Sequence, residues 1–263
     1  MSSEDAYAEI APYYDLEFDE FDADFELYLG YASMVGGPVL ELGCGSGRVL
    51  ERLALAEFDV TGLDNSASML QRARSRLENA GTKSNVRLIE GDMRDLAGLE
   101  RESFRLVLIS VNSFLHLDSR ADQIVALSQI RNVLDRDGLL VIDVFNPTPE
   151  TLTRMDDRYA FDGEWQLEDG RVLQRFSYRT LDSSRQRIMT RLFYDHISAD
   201  GTVHRQSTRY AMRYLHRFEL EGLLEVCGFE LEGTYGSYSL DPIDHASEQL
   251  IVVAHRTANP GES

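Results

Sequence analysis

An α/β fold built on a doubly wound, mainly parallel sheet is predicted by two features of this 263-residue chain. Between Pro38 and Pro147 five short apolar runs alternate with amphipathic segments, and only a crossover of that kind returns the chain to lie parallel to its neighbour. After Asn146-Pro147-Thr148-Pro149 the rhythm changes to period two, which marks an inserted antiparallel piece, and then reverts to helix and strand. A content of 43% hydrophobic and 27% charged residues supports a sizeable core and excludes a disordered or fibrous chain.

The elements follow in order. From Ser2 to Ala32 there are ten Asp or Glu and no Lys or Arg, yet Tyr13, Tyr14, Phe18, Phe21, Phe25, Tyr28 and Tyr31 recur every three or four residues, so a helix with an aromatic face is expected. Strands are expected at 39–42, 60–63, 86–89, 106–110 and 139–145, where the apolar runs are too short for helices. Helices are expected at 66–79 and 121–134, each beginning near a polar cap residue. In the insertion, period-two stretches at 172–179, 188–195 and 205–214 are separated by Asp182-Ser183-Ser184 and Ala199-Asp200-Gly201, which predicts two or three antiparallel strands. A helix at 218–227 stopped by Gly228, with strands at 229–234 and 249–254, completes the core. The expected division is a helical lid at 1–35, a core at 36–147 and 217–256, an insertion at 148–216 and a loose tail at 257–263.

Charge and cysteine content narrow the function. With 26 basic and 45 acidic residues the net charge is -19, which repels a phosphate backbone or an anionic bilayer, so neither nucleic acid nor membrane is an expected partner. Cys44 and Cys227 lie far apart without a CxxC partner or a His at ligand spacing, so a disulfide framework and a metal site are not expected and a reducing cytoplasm is. The start, MSSEDAYAEI, has acids where a signal peptide has bases, and no apolar run approaches a membrane span. Positive charge is concentrated: Glu150 to Arg217 holds 12 Arg against 10 acids. There Arg175, Arg179, Arg191, Arg209 and Arg213 alternate, so one face of the insertion can carry positive charge toward an acceptor, or the piece can serve as a homodimer contact.

The strongest local signal is Val39-Leu40-Glu41-Leu42-Gly43-Cys44-Gly45-Ser46-Gly47, a buried strand entering a glycine-rich turn and then a helix. Glycines let the backbone bend sharply and approach a ligand. A dinucleotide fingerprint would need its third glycine at Arg48, where a long side chain opposes close helix packing, which disfavours a nicotinamide-linked dehydrogenase. The next strand ends in Asp64-Asn65-Ser66 with Met69 beyond, and the third in Gly91-Asp92-Met93. A carboxylate at the second strand tip can accept from both ribose hydroxyls of an adenosine ligand, and one at the third can meet an adenine amino group beside an apolar side chain. The fourth strand ends in Ser110-Val111-Asn112 and is followed by His116, whose ordinary pKa of ~6.5 suits proton transfer. Tyr14 can close over a cation with its ring face.

Taken together, ELGCGSG, GLDNSASML and GDMRDL resemble the class I S-adenosylmethionine-dependent methyltransferases over residues 39–145 and 218–254. The resemblance implies a Rossmann-like seven-stranded sheet with its last strand antiparallel, and S-adenosylmethionine as cofactor. It also implies contacts from Gly43, Cys44, Gly45 and Gly47 to the methionine moiety, from Asp64 to the ribose and from Asp92 and Met93 to the adenine, with Glu41, Asn65, Met69, Ser110 and Val111 also at the cofactor. The inserted sheet and the Tyr-Tyr-Asp helix are similar to small-molecule N-methyltransferases acting on amino sugars or small amines. The expected reaction is in-line methyl transfer to a small polar acceptor, an amine or a hydroxyl, with His116 and Tyr14 as catalytic candidates and Asn112 and Arg213 as acceptor contacts. Two alternatives stay open: a protein that binds S-adenosylmethionine but transfers another group or regulates, and a methyltransferase on a macromolecule docked at the Arg-rich insertion.

Overall fold

The computed structural model describes residues 7–257; the expected tail beyond Thr257 and the start of the expected lid lie outside these residues. The single N-terminal helix expected from the aromatic spacing is two, α1 (Ala11–Phe18) and α2 (Phe25–Val35). The break has a physical cause. Arg48 donates to the Phe21 carbonyl at 2.8 Å and forms a two-pronged pair with the buried carboxylate of Asp24, at 2.8 and 2.6 Å. The link between the helices is thereby pinned to the start of α3 (Arg48–Leu55), with the Phe25 N–H turned to the Asp22 carbonyl.

The core runs β1 (Val39–Leu42), α3 (Arg48–Leu55), β2 (Val60–Asp64), α4 (Ala67–Asn79), β3 (Val86–Glu90), β4 (Phe104–Ile109), α5 (Arg120–Val133) and β5 (Leu134–Phe145). The insertion contributes α6 (Pro149–Met155), β6 (Arg158–Gln166), β7 (Val172–Asp182), β8 (Arg187–Ile197) and β9 (Val203–Arg213). The core then closes with α7 (Arg217–Val226), β10 (Phe229–Tyr235) and β11 (Gln249–Arg256). The large sheet has seven strands in the order β10-β11-β5-β4-β1-β2-β3. β11 is antiparallel to both of its neighbours, and the remaining pairs are parallel. This is the topology implied by the family resemblance. Because the chain leaves β1 toward β2 on one side and later toward β4 on the other, a crevice opens at the carboxyl ends of β1 and β4.

Both faces of the sheet are buried, as crossover helices require. Leu40, Leu42 and Val107 point toward Leu127, Ile130 and Leu223 of α5 and α7, while Val39, Leu106 and Val141 point toward Tyr28, Leu50 and Leu70 of α2, α3 and α4. The smaller sheet is antiparallel with four strands, β6-β7-β8-β9, one more than the upper expectation. β6 escapes period-two reading because it is a largely exposed edge whose register shifts between Phe161 and Gly163. α1 is held between the two parts: Arg72 and Arg76 of α4 pair with Asp15 and Asp19, and Arg175 of β7 pairs with Glu17, which also accepts from the Tyr194 hydroxyl at 2.8 Å.

Candidate active site

The turn after β1 needs its glycines. Gly43, Gly45 and Gly47 adopt φ of 74, 54 and 80°, and a Cβ on Gly43 would stand 2.7 Å from that of Ser113. Asp64, at the end of β2, ties this turn down: Oδ2 accepts from the Gly45 backbone N–H and Oδ1 from that of Ser66, each at 2.8 Å. Ser66 in turn caps α4 by accepting from Met69 N–H. One carboxylate thus sets the turn, the strand end and the next helix.

Glu41 lies below the turn with 1% exposure. Its Oε1 accepts from the Ser110 hydroxyl at 2.7 Å, while Oε2 has no hydrogen-bond partner among the described residues. Burial pushes the carboxyl up from 4.5 to about 8, against the smaller opposing pull of the Ser110 hydrogen bond and of Arg48. The folded chain therefore keeps a proton that the unfolded chain releases, and stability falls as pH rises through the window from 4.5 to about 8. Glu41→Gln is expected to raise the thermal midpoint of the ligand-free protein at pH 8.5 and to leave it nearly unchanged at pH 4.5. Parallel midpoints at both pH values would remove Glu41 from this account.

At the carboxyl ends of β1, β2, β3 and β4 lies a cavity of about 420 Å³, the size of a nucleoside-bearing ligand's site. Gly43, Gly45, Asp64, Asn65, Met69, Asp92 and Met93 line one side, and Tyr14, Val111 and His116 belong to the remainder. Ten of the sequence-predicted residues therefore meet in one space. A wider groove of about 680 Å³ on the outer side of α1 and α4 is crossed by the Arg72 and Arg76 ion pairs and contains none of these groups.

Other expectations are corrected. Cys44, Gly47, Glu41 and Ser110 do not line the cavity but shape it from behind. The Cys44 thiol is buried toward Gly62, and burial pushes it up, so it packs as a small apolar group. Gly47 permits close approach of Ala73 on α4. Asn112, expected to touch the acceptor, instead accepts from Phe145 N–H at 2.7 Å through Oδ1. It and Val111 sit in left-handed backbone, φ 67 and 40°, a costly state for a β-branched residue. The buried Asp143 helps hold it, accepting from the Val111 N–H and from the Tyr28 and Tyr238 hydroxyls. Arg213, the other expected acceptor contact, is 8% exposed and bonded to Gln123, Gln186 and Glu219. Its charge is spent joining β9 to α5 and α7, because alternation gives the face of a strand but not what covers it. Asp92 does line the cavity, yet Arg94 clasps it and pairs with Asp122 as well, holding the Asp92 carboxyl below its usual range.

His116 differs most from its expected chemistry. Burial pulls its pKa down to about 4, and its Nε2 lies 2.7 Å from the Tyr7 hydroxyl. A neutral imidazole of that strength is a weak base at neutral pH. Tyr14 stacks on Phe18 with its ring and hydroxyl beside Gly45, and burial keeps it a neutral phenol. The cavity residues not foreseen include Tyr7, Ser113, Arg94, Asp118, Asp122 and Tyr210. Of these, Arg94 lay within the GDMRDL motif and Tyr210 within the alternation of 205–214; Tyr7 arrives through the path of the chain before α1.

The site's residues fit S-adenosylmethionine: bare backbone at Gly43 and Gly45, a strand-end carboxylate at Asp64, and Leu63 and Met93 as apolar walls. Residues 39–138 match the family described as a methyltransferase domain. The cypemycin N-terminal methyltransferase of a Streptomyces species is 27% identical over 221 residues, 84% of each chain. The CcbJ methyltransferase of Streptomyces caelestis has the same fold, with a TM-score of 0.80 at 24% identity over 97% of this chain and all of that one. CalS10, an amino pentose methyltransferase from Micromonospora echinaspora solved with S-adenosylmethionine bound, superposes with a TM-score of 0.70 at 24% identity over 94% and 97% of the two chains.

Proposed function

Because this chain is an S-adenosylmethionine-dependent methyltransferase, with its methyltransferase domain at residues 39–138, we propose that it methylates the nitrogen of a small polar amine. The cofactor, when bound, supplies a methyl group on a positively charged sulfur, which departs with the electron pair of the C–S bond. The protein's task is then to exclude water, align the nucleophile and accommodate one proton. Gly43 and Gly45 hold the methionine end, Asp64 and Asn65 the ribose, and Asp92 with Met93 the adenine. Tyr14, buried beside Gly45, covers the sulfonium side.

The observation that carries the choice of nitrogen is the state of His116. A hydroxyl acceptor needs a base to sharpen its oxygen, and the histidine at the cavity wall is weakened to about 4 with its ring already bonded. A neutral amine attacks with its own lone pair. Four carboxylates, Asp64, Asp92, Asp118 and Asp122, stand around the cavity. Against them Arg94 pairs with Asp92 and Asp122, and Arg187 with Asp118, so the excess charge is negative and favours an entering cation. Two relatives carry names pointing the same way, one an N-terminal and one an amino pentose methyltransferase. We further propose that the N-terminal segment, 1–35, and the insertion, 148–216, form the acceptor side, supported by Tyr7 and Tyr14 from the first and Tyr210 and Ala211 from the second.

The purified protein is expected to bind S-adenosylmethionine and adenosylhomocysteine, but not NAD, in calorimetry. With methyl-labelled cofactor, label should enter amines of an acceptor panel that pairs amino sugars and amino acids with their hydroxyl counterparts. Transfer to the hydroxyl members alone would overturn the choice of nitrogen, and tight NAD binding would overturn the cofactor assignment.

A further inference from the structure

β4 ends in a reversal that is conformationally costly. Seven non-glycine residues have positive φ among the described residues, and Val111 alone of them is β-branched and alone of them lines the cavity. Asn112 follows it in the same left-handed region, so two such residues stand in sequence, at φ of 40 and 67°. Conformations of this kind persist only where the surroundings enforce them, and they gather where a site needs a fixed shape.

The enforcement comes from β5. Asp143, 1% exposed, accepts from the Val111 N–H at 3.3 Å through Oδ2 and from the Asn112 N–H at 3.0 Å through its backbone carbonyl. Two residues on, the Phe145 N–H donates to Asn112 Oδ1 at 2.7 Å. Asp143 is itself held by the hydroxyls of Tyr28 and Tyr238. The reversal sets Ser113 on the glycine turn: its Oγ donates to the Gly43 carbonyl at 3.2 Å, and its Cβ fills the space that a side chain on Gly43 would need. Relaxed to ordinary right-handed or extended backbone, residues 111 and 112 would direct Ser113 elsewhere, and the tips of β1 and β4 would lose this link.

We infer, on the cofactor placement proposed above, that Asn112 and Asp143 are positioning residues. They hold Val111 in its left-handed state, so that the turn after β4 grips Gly43 and fixes the end of the cavity that takes the cofactor's amino-acid part. Neither of the two lines the cavity, so each acts through Val111 and Ser113, which do. The control is confined to that end. Asp64 and Asp92, assigned to ribose and adenine, stand at the ends of β2 and β3, on the far side of β1 from β4, and do not depend on the reversal.

Two ligands separate this role from a merely structural one: adenosylhomocysteine, and 5′-methylthioadenosine, which keeps adenine, ribose and sulfur but lacks the amino-acid part. Asn112→Ala removes both the tie to Phe145 and asparagine's tolerance of left-handed backbone. Calorimetry on the full chain should show that it weakens adenosylhomocysteine about tenfold and leaves methylthioadenosine within about twofold of the parent. Asp143→Ala should act in the same direction, whereas Asp143→Asn, whose amide oxygen still accepts from Val111, should keep most of the affinity. Val111→Gly removes the strain itself and is expected to raise Tm by roughly 2 °C. In that background Asp143→Ala should weaken adenosylhomocysteine by a smaller factor than in the parent, because glycine stays left-handed without a tie. Equal loss of both ligands in Asn112→Ala, an unchanged adenosylhomocysteine affinity there, or the same factor for Asp143→Ala in both backgrounds would each overturn the inference. A Val111→Gly midpoint below that of the parent would overturn it even if the alanine variants failed to fold. Failure of the parent protein to bind adenosylhomocysteine would instead overturn the methyltransferase reading beneath it.

Discussion

Replacing Asp64 by alanine should weaken S-adenosylmethionine binding by 100-fold or more, the largest effect expected of any cavity residue. The carboxylate carries two loads. It accepts from the backbone N–H groups of Gly45 and Ser66, and it is the strand-end acceptor placed to meet the ribose hydroxyls. Each hydrogen bond to a charged group is worth about 1.5 to 3 kcal/mol, and losing two or more of them amounts to about 3 kcal/mol or above, hence the 100-fold figure at ~1.4 kcal/mol per decade. Asp64→Asn keeps one acceptor oxygen and should lose less. Calorimetric titration of both variants checks this. Affinity within threefold of the parent in Asp64→Ala would mean that the glycine turn holds itself and that the ribose is bound elsewhere.

The second large effect concerns stability rather than binding. Asp24 is fully buried and Arg48 nearly so, and the two meet through paired hydrogen bonds while Phe21 and Phe25 cover the guanidinium at 5.1 and 4.7 Å. Removing one member of a buried pair leaves an uncompensated charge, at a cost of ~3 to 5 kcal/mol. For a chain of this size that corresponds to a fall of roughly 10 °C in Tm. Arg48→Ala is therefore expected to melt well below the parent, and the double change Arg48→Met with Asp24→Leu to recover most of the loss, because two apolar groups have no charge to strand. Thermal scans decide the matter: a single variant as stable as the parent would show that water reaches Asp24 and that the pair is not what docks α2.

The same pair shows where sequence reasoning stops. Arg48 was informative by violating the dinucleotide pattern, since a long side chain opposes close packing there. The structure agrees that the position is crowded, but the guanidinium is turned away from the crevice into Asp24 and Phe21. Nothing in the spacing of Asp24 and Arg48 announces that partnership, because the two are joined only when α2 folds against α3. Arg213 follows the same rule. Its place in an alternating strand was readable, but burial against Gln123 and Glu219 came from α5 and α7, elements remote in the chain.

What the sequence determined by itself was local. Short apolar runs, glycine turns and polar caps act over a few residues, so the strands, their crossovers, the turn at Gly43 to Gly47 and the acids at Asp64 and Asp92 were all legible, and an open parallel sheet necessarily gathers its strand ends at one edge. What only the tertiary structure decided was chemistry that depends on burial and on partners from distant segments. His116 became a weak base because burial in the closed fold penalises its charged form, with Tyr7, more than a hundred residues away in the chain, packed against its ring. Glu41 retains its proton because burial under the turn strips its carboxylate of water, a cost that Ser110 and Arg48 only partly offset. Desolvation and pairing fall off over a few ångströms in space and have no counterpart in sequence distance, so these roles were fixed only when the chain closed around them.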